Sequence, residues 1–321
     1  MGCIKEVINR DRRRRQTMPK MQADEAMAEA DRHWHNGDLH WAGESFRRAR
    51  GFYHTAGDPL GEAQAVRRLA DLAWQSNHLT DHLAVARSLF VEARRLFSEA
   101  RNHQGQADTL LQLGKLAHHQ RQPREAWDFF ESARDQFRVI GDLAGEVLID
   151  RHLALLALDD GRDDVALERF EHARALAREM GDGTAEAHTL QTLAMLYQRL
   201  GRVDRAHEAL ETALELFLTT GDRLGEAATQ AELGRLLKEV GDLPAARQAF
   251  MQASRLYLMT GHLEGEAESF LELARLEAAN DPVHAQHHYD HAAGLFKRVG
   301  STAKQALCKE EMAALMGQPN R

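Results

Sequence analysis

Residues 221–260 read GDRLGEAATQAELGRLLKEVGDLPAARQAFMQASRLYLMT, from Gly221 to Thr260, and the rest of the chain repeats the rule that this stretch contains. Gly221-Asp222 opens it, Gly225-Glu226-Ala227 follows four residues on, and Gly241 marks a second break midway. Glycine suits the left-handed position that ends a helix. The aspartate after it can cap the next helix, and the glutamate falls in that helix's first turn, where the dipole favours an anion. After the midpoint, Ala246, Phe250, Ala253, Leu256 and Tyr257 recur at helical spacing. The stretch therefore reads as helix, tight turn, helix, tight turn, with two helices of about 16 residues filling the period.

The same punctuation recurs outward. Gly57-Asp58, Gly141-Asp142 and Gly181-Asp182 are full copies; Arg101-Asn102, Gly261-His262 and Gly300-Ser301 are degenerate ones, and successive spacings are 44, 40, 40, 40, 40 and 39 residues. The box returns at Gly61-Glu62-Ala63 and Gly265-Glu266-Ala267, with variants at Gly105, Gly145 and Ala185, and midway breaks stand at Gly37, Asn77, Arg121, Gly161, Gly201 and Asn280-Asp281-Pro282. Small residues hold one place in the second helices: Ala42, Ala126, Ala166, Ala206, Ala246 and Ala285. A single hairpin cannot bury its apolar stripes, so neighbours must stack. The expected organisation is a disordered basic tail over residues 1–19, carrying Arg12–Arg15, then a helical array over 20–299. Its pairs begin near Met21, Gly57, Arg101, Gly141, Gly181, Gly221 and Gly261; a capping helix over 300–316 and a short tail over 317–321 follow. Four extra residues around His78–Asp81 predict a longer loop or an extended helix end in the second pair.

In the first helices Leu113-Gly114 and Leu233-Gly234 stand in register with Leu69-Ala70, Leu153-Ala154, Leu193-Ala194 and Leu273-Ala274. With the mid-pair glycine and the later Ala, Phe/Leu and Ala, the pattern resembles the tetratricopeptide repeat. The 40-residue period and the Gly-Asp-x-x-Gly-Glu-Ala box are similar to its longer variety, found in Pins/LGN scaffolds and bacterial regulators. The resemblance covers residues 20–316. It implies an all-α, right-handed α-solenoid of about seven hairpins plus a cap, whose concave face, lined by the first helices, binds an extended or helical peptide. It implies a non-enzymatic scaffold or adaptor; the alternative is a ligand- or peptide-responsive sensor module of a bacterial regulatory system acting through another protein. The sequence also departs from the family. Where the Pins/LGN type carries a peptide-clamping Asn, this chain has Arg68, Gln112, His152, Thr192, Glu232 and Glu272, and the Lys/Asn carboxylate clamp of chaperone-binding relatives is incomplete. Neither ligand class carries over.

Composition narrows the reading. The 321 residues include only 6 Pro and 6% aromatics, so a proline-rich linker is excluded and an all-β sandwich disfavoured. The formal charge of −8 disfavours general phosphate-backbone binding, so no nucleic-acid partner is expected. No apolar run is long enough to span a membrane and no signal-peptide core is visible. Cys3 and Cys308 form neither a disulfide framework nor a metal site, and Cys308 reads as core. A cytoplasmic protein without cofactor is expected.

Helical phase projects the groove. Arg67, Arg68, Asp71, Trp74, Asp108, Gln112, Lys115, His118, His119, Arg151, His152 and Asp159 share the face of the position before Leu-Gly, while Gln191, Glu232 and Arg235 belong to a charge-balanced half further on. The expected binding residues are Trp34, Arg67, Arg68, Trp74, Gln112, Lys115, His118, Arg151, His152, Gln191 and Arg235. The partner expected is a protein or peptide segment, acidic with an apolar anchor near Trp34 and Trp74, and self-association stays open. The alternative is ordinary solvated charge on helix faces. His284, His287, His288 and His291 have spacings that can chelate a metal, but no His-Glu-x-x-His motif accompanies them, and solvent-exposed polar residues are the simpler reading. Asp159-Asp160 and Asp163-Asp164 lack the calcium-loop pattern. Met1-Gly2-Cys3 looks like an acylation site, yet Glu6 stands where Ser or Thr is wanted. No phosphate-cradling loop or nucleophile elbow is present, so no catalytic residues are named.

Overall fold

A Gly-Asp step stops one helix and starts the next only if the glycine takes positive φ and the aspartate side chain reaches the new helix. The computed structural model, which describes residues 2–76 and 81–316 with side chains from Met18 onward, shows both. Gly57, Gly141, Gly181, Gly221 and Gly261 have φ between +67° and +74°. The N–H groups of Gly61, Gly145 and Ala185 donate to Asp58, Asp142 and Asp182 at 3.0, 3.0 and 2.9 Å. In the degenerate copies Asn102 and His262 accept from Gly105 and Gly265 at 2.5 and 3.0 Å.

Fifteen helices and no strand result among the described residues: α1 Gly2–His35, α2 Leu39–Ala56, α3 Pro59–Gln75, α4 His82–Glu99, α5 His103–His119, α6 Pro123–Ile140, α7 Leu143–Asp159, α8 Asp163–Glu179, α9 Gly183–Arg199, α10 Val203–Thr220, α11 Arg223–Glu239, α12 Leu243–Thr260, α13 Leu263–Glu277, α14 Pro282–Arg298 and α15 Thr302–Met316. The order is that of seven helix pairs followed by a single helix, the all-α repeat architecture of the α-solenoid class expected from the sequence. Helix α1 begins at Gly2, within the segment 1–19 expected as a tail. The extra residues expected around His78–Asp81 fall mostly on 77–80, outside the described residues, as do 317–321. No helix among the described residues is long and apolar enough to cross a membrane.

The chain divides into two compact units, residues 1–166 and 167–321. Each has its own aromatic core: Phe46, Phe90 and Phe130 are fully buried in the first, and Phe170, Phe217, Phe250 and Phe296 in the second. The alanines expected at close helix approaches, Ala42, Ala126, Ala166, Ala206, Ala246 and Ala285, have no exposed surface, and neither does Cys308.

The box glycine has a role that the sequence did not disclose. A Cβ at Gly105, Gly145 or Gly225 would lie 2.3, 2.3 and 2.4 Å from ring carbons of Phe97, Phe137 and Phe217. Gly61 and Gly265 would meet Tyr53 and Tyr257 at 2.3 and 2.6 Å. Each ring belongs to the preceding helix, eight residues upstream, and lies directly on the glycine backbone. At one junction both partners change together: Ala185 replaces the glycine and Ala177 replaces the ring. The box glutamate also spans the junction. Glu146 pairs with Arg138 at 2.9 Å, Glu62 with His54 at 3.1 Å, and Glu186 with Arg174 and Arg178 at 3.3 and 3.6 Å.

Two predictions follow from these junctions. Ala177→Phe destabilises the chain by about 1–3 kcal/mol through overpacking, and adding Ala185→Gly restores most of that loss, as the native ring–glycine junctions require; urea unfolding of the two single variants and the double variant measures the coupling. Separately, Arg101 holds φ +52°, a left-handed conformation without glycine. Arg101→Gly raises stability by about 0.5–1 kcal/mol, the relief of left-handed strain less the entropy glycine adds to the unfolded chain.

Candidate functional site

In the unit of residues 1–166 the first helices α1, α3, α5 and α7 leave one face uncovered by their partners. Near the ends of α1 and α3 this face carries two tryptophans. Trp34 packs edge-on against Phe46 at 6.1 Å and 67°, and Trp74 packs edge-on against Phe90 at 6.2 Å and 87°. The buried phenylalanines fix the rings and leave each partly buried. Both line one open cleft of about 540 Å³ with Arg68, Asp71, Gln75 and Gln112. The Arg68 guanidinium stands 6.0 Å from the Trp34 ring centre and 3.4 Å from Asp31. Burial pushes the Asp71 and Asp108 carboxyls above their ordinary range, and Arg67 opposes that shift at both. Charge is therefore matched at this end of the face.

One and two helices further on it is not. Lys115 on α5 and Arg151 on α7 are half-buried, and neither has a carboxylate partner among the described residues. Burial pulls both below their ordinary pKa range. His152 lies flat on Phe130, 5.2 Å between ring centres and 9° apart. Burial, with Lys115, Arg151 and His118 adding to it, holds His152 down at about 4, so it is neutral at pH 7. His118 places Nε2 2.7 Å from Asp159. Leu148 and Leu155 flank Arg151 and His152 along α7 and are 37% and 39% exposed. Sequence reading missed these two leucines; the signal was an apolar side chain at positions that hold Asp108 and Lys115 in the previous pair.

The structure thus gathers Trp34, Arg67, Arg68, Trp74, Gln112, Lys115, His118, Arg151 and His152 on the first-helix face of residues 1–166. Gln191 and Arg235 lie in the other unit, where they have internal partners. Gln191 donates to Thr229 at 2.9 Å, and Arg235 pairs with Glu232. Around them Lys238 meets Glu272 at 2.5 Å, and Arg275 meets Glu272 and Glu311 at 2.8 and 2.7 Å.

The histidines of α14 make separate local contacts. His284 lies 2.5 Å from Asp281, His288 lies 3.2 Å from Glu277, and His291 packs on Phe270 at 4.3 Å between ring centres. Among the described residues no three His, Cys, Asp or Glu side chains gather as metal ligands would.

Residues 146–219 match the family model of the tetratricopeptide repeat. Solved structures extend the likeness over most of the chain. Apo RapI is 15% identical with a TM-score of 0.60, the match covering 79% of this chain and 97% of that one. Aspartyl phosphate phosphatase F from Bacillus subtilis is 10% identical with a TM-score of 0.62, covering 85% and 76%. A Rap protein complexed with Competence and Sporulation Factor is 13% identical with a TM-score of 0.56, covering 94% and 98%. At these identities the likeness is one of fold. No curated protein matches the chain in sequence. The helical array is of the tetratricopeptide-repeat type.

The state of His152 sets a pH dependence. Its folded value of about 4 lies below the ordinary 6.5, so the unfolded chain binds a proton that the folded chain refuses as pH falls between them. Stability is therefore lost on acidification through that window. Urea unfolding at pH 7 and pH 5 shows the native chain losing about 1–2 kcal/mol more than His152→Gln does.

Proposed function

We propose that this protein is a non-enzymatic binding protein that holds an acidic, apolar-containing segment of a protein or peptide partner on the first-helix face of residues 1–166. The observation that carries the reading is a pair of cations without carboxylate partners among the described residues, Lys115 and Arg151, beside a cleft walled by two partly buried tryptophans. A half-buried cation with no counter-charge keeps its desolvation cost uncompensated until an anion arrives. Here the anion would come with the partner. Trp34 and Trp74 offer large, rigid rings that lose little entropy on contact, the kind of anchor on which binding energy concentrates. Leu148 and Leu155 extend the apolar surface on either side of Arg151. An acidic side chain between two apolar ones fits that order.

Arg67 and Arg68 play a lesser part. They face Asp31, Asp71 and Asp108, so part of their charge is already committed. Gln112 shares the tryptophan cleft and can bond a partner's backbone. The family likeness supports binding as the general activity, and a Rap protein of similar fold has been solved complexed with Competence and Sporulation Factor. The second reading is a ligand- or peptide-responsive sensor module of a bacterial regulatory system that acts through another protein, a reading supported by the likeness to that factor-bound Rap protein.

A library of short synthetic peptides displayed on a surface tests the proposal with the intact chain. The native chain selects sequences with Asp or Glu next to Leu, Ile or Phe. Lys115→Ser with Arg151→Ser weakens the selected peptides by about tenfold or more, and Trp74→Ala weakens them comparably. Unchanged affinities in the double variant would show that the partner binds elsewhere.

A further inference from the structure

Tyr53 and Tyr257 hold the same place in their helix pairs, each seated on the box glycine of the next helix, yet of the two only Tyr53 has a protein partner for its hydroxyl among the described residues. Tyr53 donates to Asp24 at 2.8 Å. The residue 29 positions before Tyr257, where Asp24 stands for Tyr53, is Ala228. Tyr257 is only 8% exposed, and its hydroxyl has no hydrogen-bond partner among the described residues. The side chain lines a cavity of about 210 Å³ built from α11, α12, α13, α14 and α15.

The last junction has the residue change that goes with this space. The position after Phe296 that is glycine or alanine at every earlier box is Lys304. A lysine cannot let the backbone rest on the ring as glycine does. Its Nζ instead stands 5.6 Å from the Phe296 ring centre and donates to Glu264 and Glu268 at 2.8 and 2.6 Å. The cavity wall therefore carries both signs, Arg235, Arg275 and Lys304 with Glu268 and Glu272, and its exposed apolar surface includes Leu307.

The chemistry of the occupant follows from size and charge. The volume lies below the about 300–1,000 Å³ of drug-sized sites, so the ligand is small. These charges are already matched, Glu268 by Lys304, Arg235 by Glu232 and Arg275 by Glu272 and Glu311, so a ligand with a single charge would leave one sign in excess beside groups of both signs. A zwitterion matches both. We propose that this cavity binds a free α-amino acid with an apolar side chain: its carboxylate accepts from the Tyr257 hydroxyl and Arg235, its ammonium donates to Glu268, and its side chain lies on Leu307. The proposal involves residues 231–307 alone and does not depend on the partner assigned to residues 1–166.

Calorimetric titration of the full chain with leucine, methionine and phenylalanine tests it, together with isocaproate and isoamylamine, which keep the leucine skeleton and drop one charge each. At least one of the three amino acids binds saturably at millimolar concentration and raises the melting temperature. When leucine is that ligand, each single-charge analogue binds about tenfold more weakly or worse. Tyr257→Phe keeps the ring on Gly265, and its helical circular dichroism stays native. It weakens the amino acid about tenfold. Glu268→Gln weakens it at least as much. The proposal is overturned if none of the three amino acids gives a saturable heat, if the analogues match leucine, or if affinity is the same in both folded variants.

Discussion

An aromatic ring resting on a backbone without a side chain holds one helix pair to the next. The ring comes from the end of a second helix and the glycine from the first turn of the helix that follows. The same glycine N–H donates to the capping side chain, as Gly61 does to Asp58 and Gly145 to Asp142. Cap and seat thus meet at one residue, so where a helix starts and where it docks are fixed together. Glycine near a helix start sacrifices about 0.5–1 kcal/mol of helix propensity. Burial of a phenylalanine side chain returns about 1.5–3 kcal/mol, so the exchange is favourable. At Glu62 and Glu146 the glutamate beside it adds a polar contact to the end of the preceding helix, and there both contacts lie between residues eight apart.

The period, the turns, the helix caps and the buried alanines were all legible in the sequence, because each is local or recurs at a fixed step. The glycine's seat was not. A box glycine read alone looks like one more helix terminator, and nothing in its own helix names the ring that needs the space. The exchange of both partners at Ala177 and Ala185 was visible in the letters, but it gains meaning only once the ring and the glycine are known to touch. The glutamate's partner was hidden for the same reason: its dipole role follows from its own helix, while Arg138 or Arg178 belongs to another.

The candidate site divides along the same line. Helical phase assigns Arg67, Arg68, Lys115 and Arg151 to one face, since phase is a property of a single helix. It could not tell which of these charges was already matched. Arg235 has Glu232 three residues away, a pairing open to sequence reading; Arg67 and Arg68 meet acids on their own and on neighbouring helices, and Lys115 and Arg151 meet none among the described residues. Tyr257 escaped notice because its hydroxyl is distinguished only by comparison with Tyr53, and that comparison requires knowing that Asp24 is the acceptor. A repeat protein carries its own internal controls, and differences between equivalent positions locate what is particular in an otherwise uniform scaffold.

The ring-and-glycine junction also bears on how such a chain can grow. Where the junctions are alike, a whole 40-residue period can be duplicated or lost by recombination and the new neighbours still fit. A period spliced in at the Ala177–Ala185 junction would bring either a ring with no seat or a seat with no ring. That seam resists shuffling, and the lineage carrying it would be expected to vary in repeat number elsewhere first.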